Sequence, residues 1–207
     1  MKIPTWLPYS VAAAGLAVLS GATVYALLPD ASPLCRGWVD PSAPAQIQAL
    51  AKPVERITNM KGLGKFLSGV AWIESRGNAR AGSDSGNSAR GWFGMRPNSA
   101  RVADVGLSPD AIKDGATAVA LAAWYIHRLL PFASPGQKID WLAIRRGWGY
   151  PVDLPKVDHP GYKDQLATGL RCAGIDPNFM FDTAIRSSYT WPGIDAVLDV
   201  VGRGRNA

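Results

Sequence analysis

Histidine and cysteine are the scarcest of the reactive side chains, with two of each in 207 residues. No Cys-x-x-Cys pair and no His/Cys cluster occurs, and His127 with His159 does not make a zinc set, so neither a metal nor a cofactor is expected. Charge is also sparse: 18% of residues are charged, with 22 basic against 16 acidic. The net charge of +6 suits anionic surroundings. The basic residues are scattered, however, with short clusters only at Arg145-Arg146 and Arg203-Arg205, so no nucleic-acid partner is expected. Period-two runs of apolar residues are few, which argues against a strand-rich fold. Internal repeats and low-complexity tracts are missing as well. The remaining absence is the most informative. Between Lys2 and Asp30 there is no charged side chain at all.

That uncharged run, "WLPYSVAAAGLAVLSGATVYALL", spans 23 residues from 6 to 28, and roughly 20 suffice for a helix to cross a bilayer core. Trp6, Tyr9 and Tyr25 stand towards its ends, as interfacial aromatics do. The expectation is a single N-terminal transmembrane anchor over residues 6–28. A cleaved signal peptide is the competing reading, with "VYA" ending at Ala26 as its cleavage site. Either way the rest of the chain leaves the cytoplasm. The expected location is the inner membrane, single-pass, with the body in the periplasm; removal of the N-terminus would make the protein secreted or virion-associated.

Cys35 lies just past the apolar run and Cys172 late in the chain. In an oxidising compartment they can bridge the segment after the membrane to the folded body, and two buried free thiols are the alternative.

The chain divides into an anchor or signal (1–29), a Pro/Ser/Ala-rich linker (30–44), a main domain (45–180) and a C-terminal extension (181–207). Helical patterns dominate the main domain. "AQIQALAKPVERITNM" sets Ile47, Leu50, Val54 and Ile57 at helical spacing, with Pro53 placed to kink or split it. "LGKFLSGVAWIES" presents Leu63, Phe66, Leu67, Val70 and Ile73 on one broad face and stops at Arg76-Gly77-Asn78, so Glu74 falls at a helix C-terminus. "DGATAVALAAWYIHRLLPF" is the longest later helix, with Asp114 to cap it and Pro131 to end it. "KIDWLAIRRGWGY" and "GYKDQLATGLRCAGI" predict two more. Residues 77–97 look irregular, with room for at most a short hairpin. In the extension, Ile194, Val197, Leu198 and Val201 keep helical register, and packing onto the domain is the expectation. The fold class is mainly α.

Chemistry centres on Glu74. A carboxyl that donates a proton near neutral pH must be held against apolar surroundings that disfavour its anion, and helix C-terminal carbonyls push the same way. Glu74 follows Ala-Trp-Ile at a helix end and leads into a loop of Gly, Ser and Asn, with Trp92, Phe93 and Met95 placed to wall a groove. A solvated helix-end carboxylate fits the same spacing. Ser75 either hydrogen-bonds at such a site or caps backbone. Tyr125 reads equally as a core residue and as a ligand contact. Arg145 and Arg146 either meet carboxylates or form a solvated face, and His127 reads as a surface residue.

The string "IESRGNARA…SARGWFGMRPNSAR" resembles the catalytic core of the lytic transglycosylases with a lysozyme-like, soluble-lytic-transglycosylase domain. That family runs Glu-Ser, then Asn-Pro-x-Ala, then Gly-Leu-Met-Gln-x-x-Pro. Here Glu74-Ser75 stands for the first, and Asn78 and Ala81 keep the spacing of the second with Ala79 for Pro. Gly91 and Pro97 bracket "GWFGMRP" at the family distance. Downstream, "AAWYIHRLL" is similar to the family's Gly-Ala-x-Tyr-Leu helix, with Ala123, Tyr125 and Ile126 in register. The resemblance covers about residues 60–150. It departs in two places: Gly94 replaces the sugar-binding Gln, and "AIRRGWGYP" replaces the Ala-Tyr-Asn-x-Gly signature, leaving Tyr150 as the candidate for its tyrosine.

The resemblance implies a lysozyme-like helical domain that cleaves peptidoglycan glycan strands. Glu74 would be the general acid and base, and Ser75, Asn78, Gly91, Trp92, Phe93, Met95, Tyr125, Arg146 and Tyr150 would be the substrate-side residues. None of Asp84, Asp104 or Asp140 is placed as a second carboxylate. Were one of them, Asp84 first, to hold a water, goose-type muramidase hydrolysis would follow. A catalytically inactive peptidoglycan-binding or assembly protein is the other alternative. A small tethered enzyme of this kind fits an envelope-spanning machine for secretion, conjugation or phage entry as well as wall remodelling.

Overall fold

In the computed structural model, the described residues are 35–82, 86–133, 139–148, 161–181 and 189–202. They form a mainly α structure of seven α-helices, with no strand among them. The span expected at 6–28 lies outside the described residues. No helix among the described residues is long and apolar enough to cross a membrane.

Helix α1, Ala43–Thr58, buries Ile47, Ala51 and Val54. It runs through Pro53 without splitting and ends on left-handed Asn59. Its Glu55 reaches across to the next helix, accepting the Gly64 N–H at 2.8 Å. An otherwise orphan donor in the first turn of α2, Leu63–Ser75, is thereby satisfied by a side chain of α1. Burial holds the Glu55 carboxyl above its ordinary proton affinity, against the pull of that hydrogen bond and of Lys65.

Helix α2 is the centre of the fold, with Leu63, Phe66, Leu67, Val70 and Ala71 fully buried. Its small residues let neighbours come close. A Cβ on Gly64 would stand 3.0 Å from the Gln48 backbone of α1, and one on Gly169 only 2.4 Å from the Gly69 carbonyl oxygen. Gly169 lies on α6, Tyr162–Cys172, so α2 and α6 touch almost backbone to backbone. Beside them run the short α3, Pro97–Ala100, and the long α4, Gly115–Ala133. In α4, Val119, Leu121, Ala122, Ala123 and Ile126 are fully buried. Asp114 caps α4 as expected, accepting the Thr117 N–H at 2.9 Å. Pro131 does not end it: the helix continues to Ala133. A proline in the last turn forfeits only its own bond to the carbonyl four residues back, so the chain keeps helical dihedrals a little further.

Helix α5, Trp141–Trp148, closes the far side through an aromatic stack. Phe66 of α2 lies 4.7 Å from Trp141 and 5.9 Å from Trp148, and Trp141 lies 6.0 Å from Phe179. The irregular stretch after α2 contains one antiparallel bridge, Arg90 with Met95, which is the short hairpin that the sequence allowed. Arg90 is 2% exposed and organises this turn from inside. It reaches Asp110 at 2.9 Å and the Gly86 carbonyl at 2.7 Å.

Bonds cross two of the boundaries drawn on the sequence. From residue 35 onward the stretch read as a linker is part of the body. Cys35 is disulfide-bonded to Cys172, the Trp38 indole donates to the Cys172 carbonyl at 3.0 Å, and Val39 N–H donates to the Arg76 carbonyl at 2.8 Å. Pro and Ser composition suggested a free tether, but Cys35 and Trp38 give it buried partners. The extension is bonded to the body as well, the packing expected from its helical register. Thr190 N–H donates to the Thr58 carbonyl at 2.9 Å, and α7, Ile194–Val200, buries Val197 and Leu198 against α1 and α4.

Candidate functional site

The end of α2 delivers Glu74 to the surface, and three pieces of chain hold that end. Arg76 takes a left-handed conformation; its N–H returns to the Trp72 carbonyl at 3.3 Å and that of Gly77 to the Ala71 carbonyl at 3.1 Å, which stops the helix and turns the chain. Asn78 N–H then donates to Ser75 O at 3.1 Å, Ala81 N–H to Asn78 O at 3.2 Å, and Gly91 N–H to Ala81 O at 2.9 Å. The Ser75 hydroxyl lies 2.8 Å from the Trp92 carbonyl and 3.1 Å from that of Ala71. The Trp92 indole returns a bond to the Gly77 carbonyl at 3.0 Å. Ser75, Asn78, Ala81 and Gly91, the positions on which the family resemblance rests, are thus the ones that tie the loop to the helix end.

The Glu74 side chain retains 27% of its exposure. Burial raises its proton affinity, and the nearby Arg145 charge and hydrogen bond oppose that rise. Arg145 Nη2 lies 2.9 Å from Glu74 Oε1, with the arginine side chain only 5% exposed. The guanidinium sits over the Tyr162 ring at 5.1 Å. On its other side the carboxyl meets bare backbone: a Cβ on Gly94 would stand 2.9 Å from Glu74 Oε2. With φ at +58°, Gly94 also occupies the left-handed region, where a side chain is strained.

The other candidate residues take varied places. Trp92 is 4% exposed, Phe93 0% and Met95 5%. Their side chains therefore belong to the core, and what they present towards Glu74 is the turn that they anchor. Apolar character marks core and cleft alike, so the sequence did not separate the two. Asn78 is half-buried, and its side chain accepts the Arg80 N–H at 2.9 Å. Tyr125 is half-buried with its hydroxyl donated to the Gly147 carbonyl at 3.1 Å, a satisfied core arrangement. Its ring lies edge-on to Trp148 at 5.2 Å. Arg146 is exposed. Tyr150 and Asp84 lie outside the described residues. Asp104 is paired with Arg101, and Asp140 accepts the Ala143 N–H at 3.0 Å.

Arg145 is the residue that sequence reasoning misplaced. It was paired with Arg146 as a contact for substrate carboxylates or a solvated face, whereas the two neighbours diverge, one inward to Glu74 and one outward. The amphipathic pattern of "WLAIRRGW" held the signal, because Trp141, Leu142, Ile144, Arg145 and Trp148 form the buried face and put Arg145 on it. His127 was also read as surface. It is half-buried, stacked on Trp191 at 4.4 Å and hydrogen-bonded to the Tyr189 hydroxyl.

No protein-family model matches the chain, and no curated protein matches it significantly.

Proposed function

We propose that this chain is a membrane-anchored peptidoglycan lytic transglycosylase with a lysozyme-like domain, acting outside the cytoplasm on glycan strands. One observation carries the reading: Glu74 is a part-buried carboxyl of raised proton affinity at a helix end, with the loop of the resemblance motifs bonded around it. The mainly helical body is compatible with a lysozyme-like domain. Binding of a strand would be completed by residues such as the half-buried Asn78 and the exposed Arg146.

The chemistry needs one carboxyl. Protonated Glu74 donates to the oxygen linking N-acetylmuramic acid to N-acetylglucosamine, and that C1–O bond breaks. The muramic acid's own N-acetyl oxygen bonds to C1 and carries the positive charge. Glu74, now anionic, takes the proton of the C6 hydroxyl; O6 bonds to C1, the N-acetyl oxygen leaves, and a 1,6-anhydro ring is closed. Substrate assistance of this kind dispenses with a second carboxylate. That suits a site in which Asp104 and Asp140 are engaged elsewhere.

One feature favours a non-catalytic reading, namely peptidoglycan binding or assembly within an envelope-spanning apparatus. The ion pair with Arg145 stabilises the anion of Glu74, the form that cannot donate. The deciding experiment incubates the full-length oxidised chain, and its Glu74→Gln variant, with purified peptidoglycan and identifies released fragments by mass. Anhydromuramyl products from the wild type alone support the transglycosylase. Products heavier by one water make it a hydrolase, and binding without release makes it a binding protein.

A further inference from the structure

We infer that Arg145 is the positioning residue of the Glu74 site: its guanidinium fixes the orientation of the carboxyl and sets how readily it gives up and regains a proton. This inference rests on the reading of Glu74 as acid and base. An arginine buried to 5% exposure is costly to desolvate unless its charge is met. Among the described residues, the carboxylate that meets it is that of Glu74, at 2.9 Å. The Nε of Arg145 is buried and makes no hydrogen bond among the described residues, so the buried cation is under-satisfied and leans the more on the Glu74 contact.

Its platform is rigid. The Trp148 indole donates to the Phe93 carbonyl at 3.0 Å, joining α5 to the turn that carries Gly94. The Tyr125 hydroxyl holds the Gly147 carbonyl; Trp141 is stacked on Phe66 and Trp148 meets the same ring edge-on. Glu74 is therefore held between Arg145 on α5 and Gly94 on the turn, and the Trp148–Phe93 bond fixes these two supports relative to one another.

Among the described residues, the charged surroundings of Glu74 are few. From α5 comes Arg145, and the turn from Gly91 to Met95 brings no charge. On α6 the residue behind Arg145 is the neutral Tyr162. On α2 itself Arg76 is laid over the Trp72 ring at 3.5 Å, and the acidic group of α1, Glu55, serves the opposite end of α2. Proton affinity at Glu74 is accordingly a contest between burial and Arg145. A single carboxyl that must first donate and then accept works best when neither side wins outright.

The test measures Glu74 directly and through turnover. The carboxyl is titrated by 13C NMR in full-length, glutamate-labelled protein, with Glu74→Gln assigning the resonance, in wild type, Arg145→Gln and Arg145→Lys. The pH–rate profile on peptidoglycan is recorded alongside. Without the guanidinium, burial acts unopposed. In Arg145→Gln the titration and the alkaline limb of the rate are expected to move up by about 1 to 3 pH units, and kcat to fall by roughly tenfold to a hundredfold from misorientation. Lysine restores the charge but not the planar fork, so Arg145→Lys brings the titration back towards wild type without recovering kcat. An unchanged Glu74 titration in Arg145→Gln overturns the inference, whatever the activity. If the wild type shows no turnover, the transglycosylase reading fails and the titration alone decides the role of Arg145. Should Arg145→Gln not fold, Arg145→Met, an apolar side chain of similar length suited to the buried position, carries the same comparison.

Discussion

Gly94 and Glu74 are in contact so close that a Cβ on the glycine would stand 2.9 Å from Oε2 and 3.2 Å from Cβ of the glutamate. The family that the sequence resembles has a glutamine at this position, and restoring it is the obvious attempt at gaining activity. The geometry predicts the reverse. At φ +58° any side chain costs about 1–2 kcal/mol of backbone strain, and it also pushes the carboxyl off Arg145. Gly94→Ala and Gly94→Gln should both lower the urea midpoint and, on the proposed transglycosylase function, cut strand cleavage by more than tenfold, roughly the effect of a misplaced catalytic group. Faster cleavage by Gly94→Gln would mean that Glu74 works from a position other than the one seen.

The crossing of α2 and α6 makes a second prediction, independent of chemistry. Gly169→Ala places a methyl group 2.4 Å from the Gly69 carbonyl oxygen, which is backbone and cannot swing aside. The helices must separate, at a cost of about 1–3 kcal/mol, read as a lower urea midpoint. Because α6 also carries Tyr162, against the Arg145 guanidinium, cleavage should fall with stability. A variant as stable as wild type would show that the two helices do not pack this closely.

The fold was legible wherever local periodicity carried it. The apolar face of "LGKFLSGVAWIES" gave α2 its limits, Leu63–Ser75, and placed Glu74 at its end, because a helix that alternates buried and open faces writes its period into the chain. What was not legible was set by tertiary contacts that leave no local pattern. The Arg145–Glu74 pair joins two helices distant in sequence. Trp92, Phe93 and Met95 are equally apolar whether they line a groove or fill a core. The even cysteine count pointed to the Cys35–Cys172 bridge that forms, whereas Trp38 looked like part of a tether because nothing near it in sequence shows that α6 and the loop after Glu74 lie against it.

The disulfide supplies the third prediction. It closes a separation of 137 residues, and in the chain-entropy picture a crosslink of that reach contributes about 3–5 kcal/mol. It also seats Trp38, which lies where a Cβ on Gly77 would meet its ring at 2.5 Å, and Val39, bonded to Arg76. Reduction should therefore lower Tm and loosen the turn after Glu74 more than the distant α1–α7 contact. Thermal melts with and without reductant, with hydrogen exchange read at Arg76–Asn78, check this. An unchanged melt, or free thiols in the unreduced protein, would remove the link.

His127 gives the last prediction, a dependence on pH. Burial, with the neighbouring Arg128, lowers its proton affinity below the ordinary value of 6.5. As a neutral ring its Nδ1 accepts the Tyr189 hydroxyl, while the ring stacks on Trp191 within 4° of parallel. Protonation turns that acceptor into a donor and places a charge in a half-buried site. The unfolded chain binds the proton more readily than the folded one, so this stabilisation is complete above pH 6.5 and is lost as pH falls through the lower folded value. The loss should be about 1 kcal/mol, the scale of one hydrogen bond. Glu55 and Glu74, whose proton affinities are raised above 4.5, act in the opposite sense, their folded forms being disfavoured as pH rises above that value. Subtracting a His127→Gln variant removes them. Urea denaturation of both proteins from pH 7.5 to pH 5 should show a steeper decline in the wild type, accompanied by faster proteolysis after Tyr189. Equal slopes would mean that the C-terminal segment is held by α7 and the Thr190–Thr58 bond without help from His127.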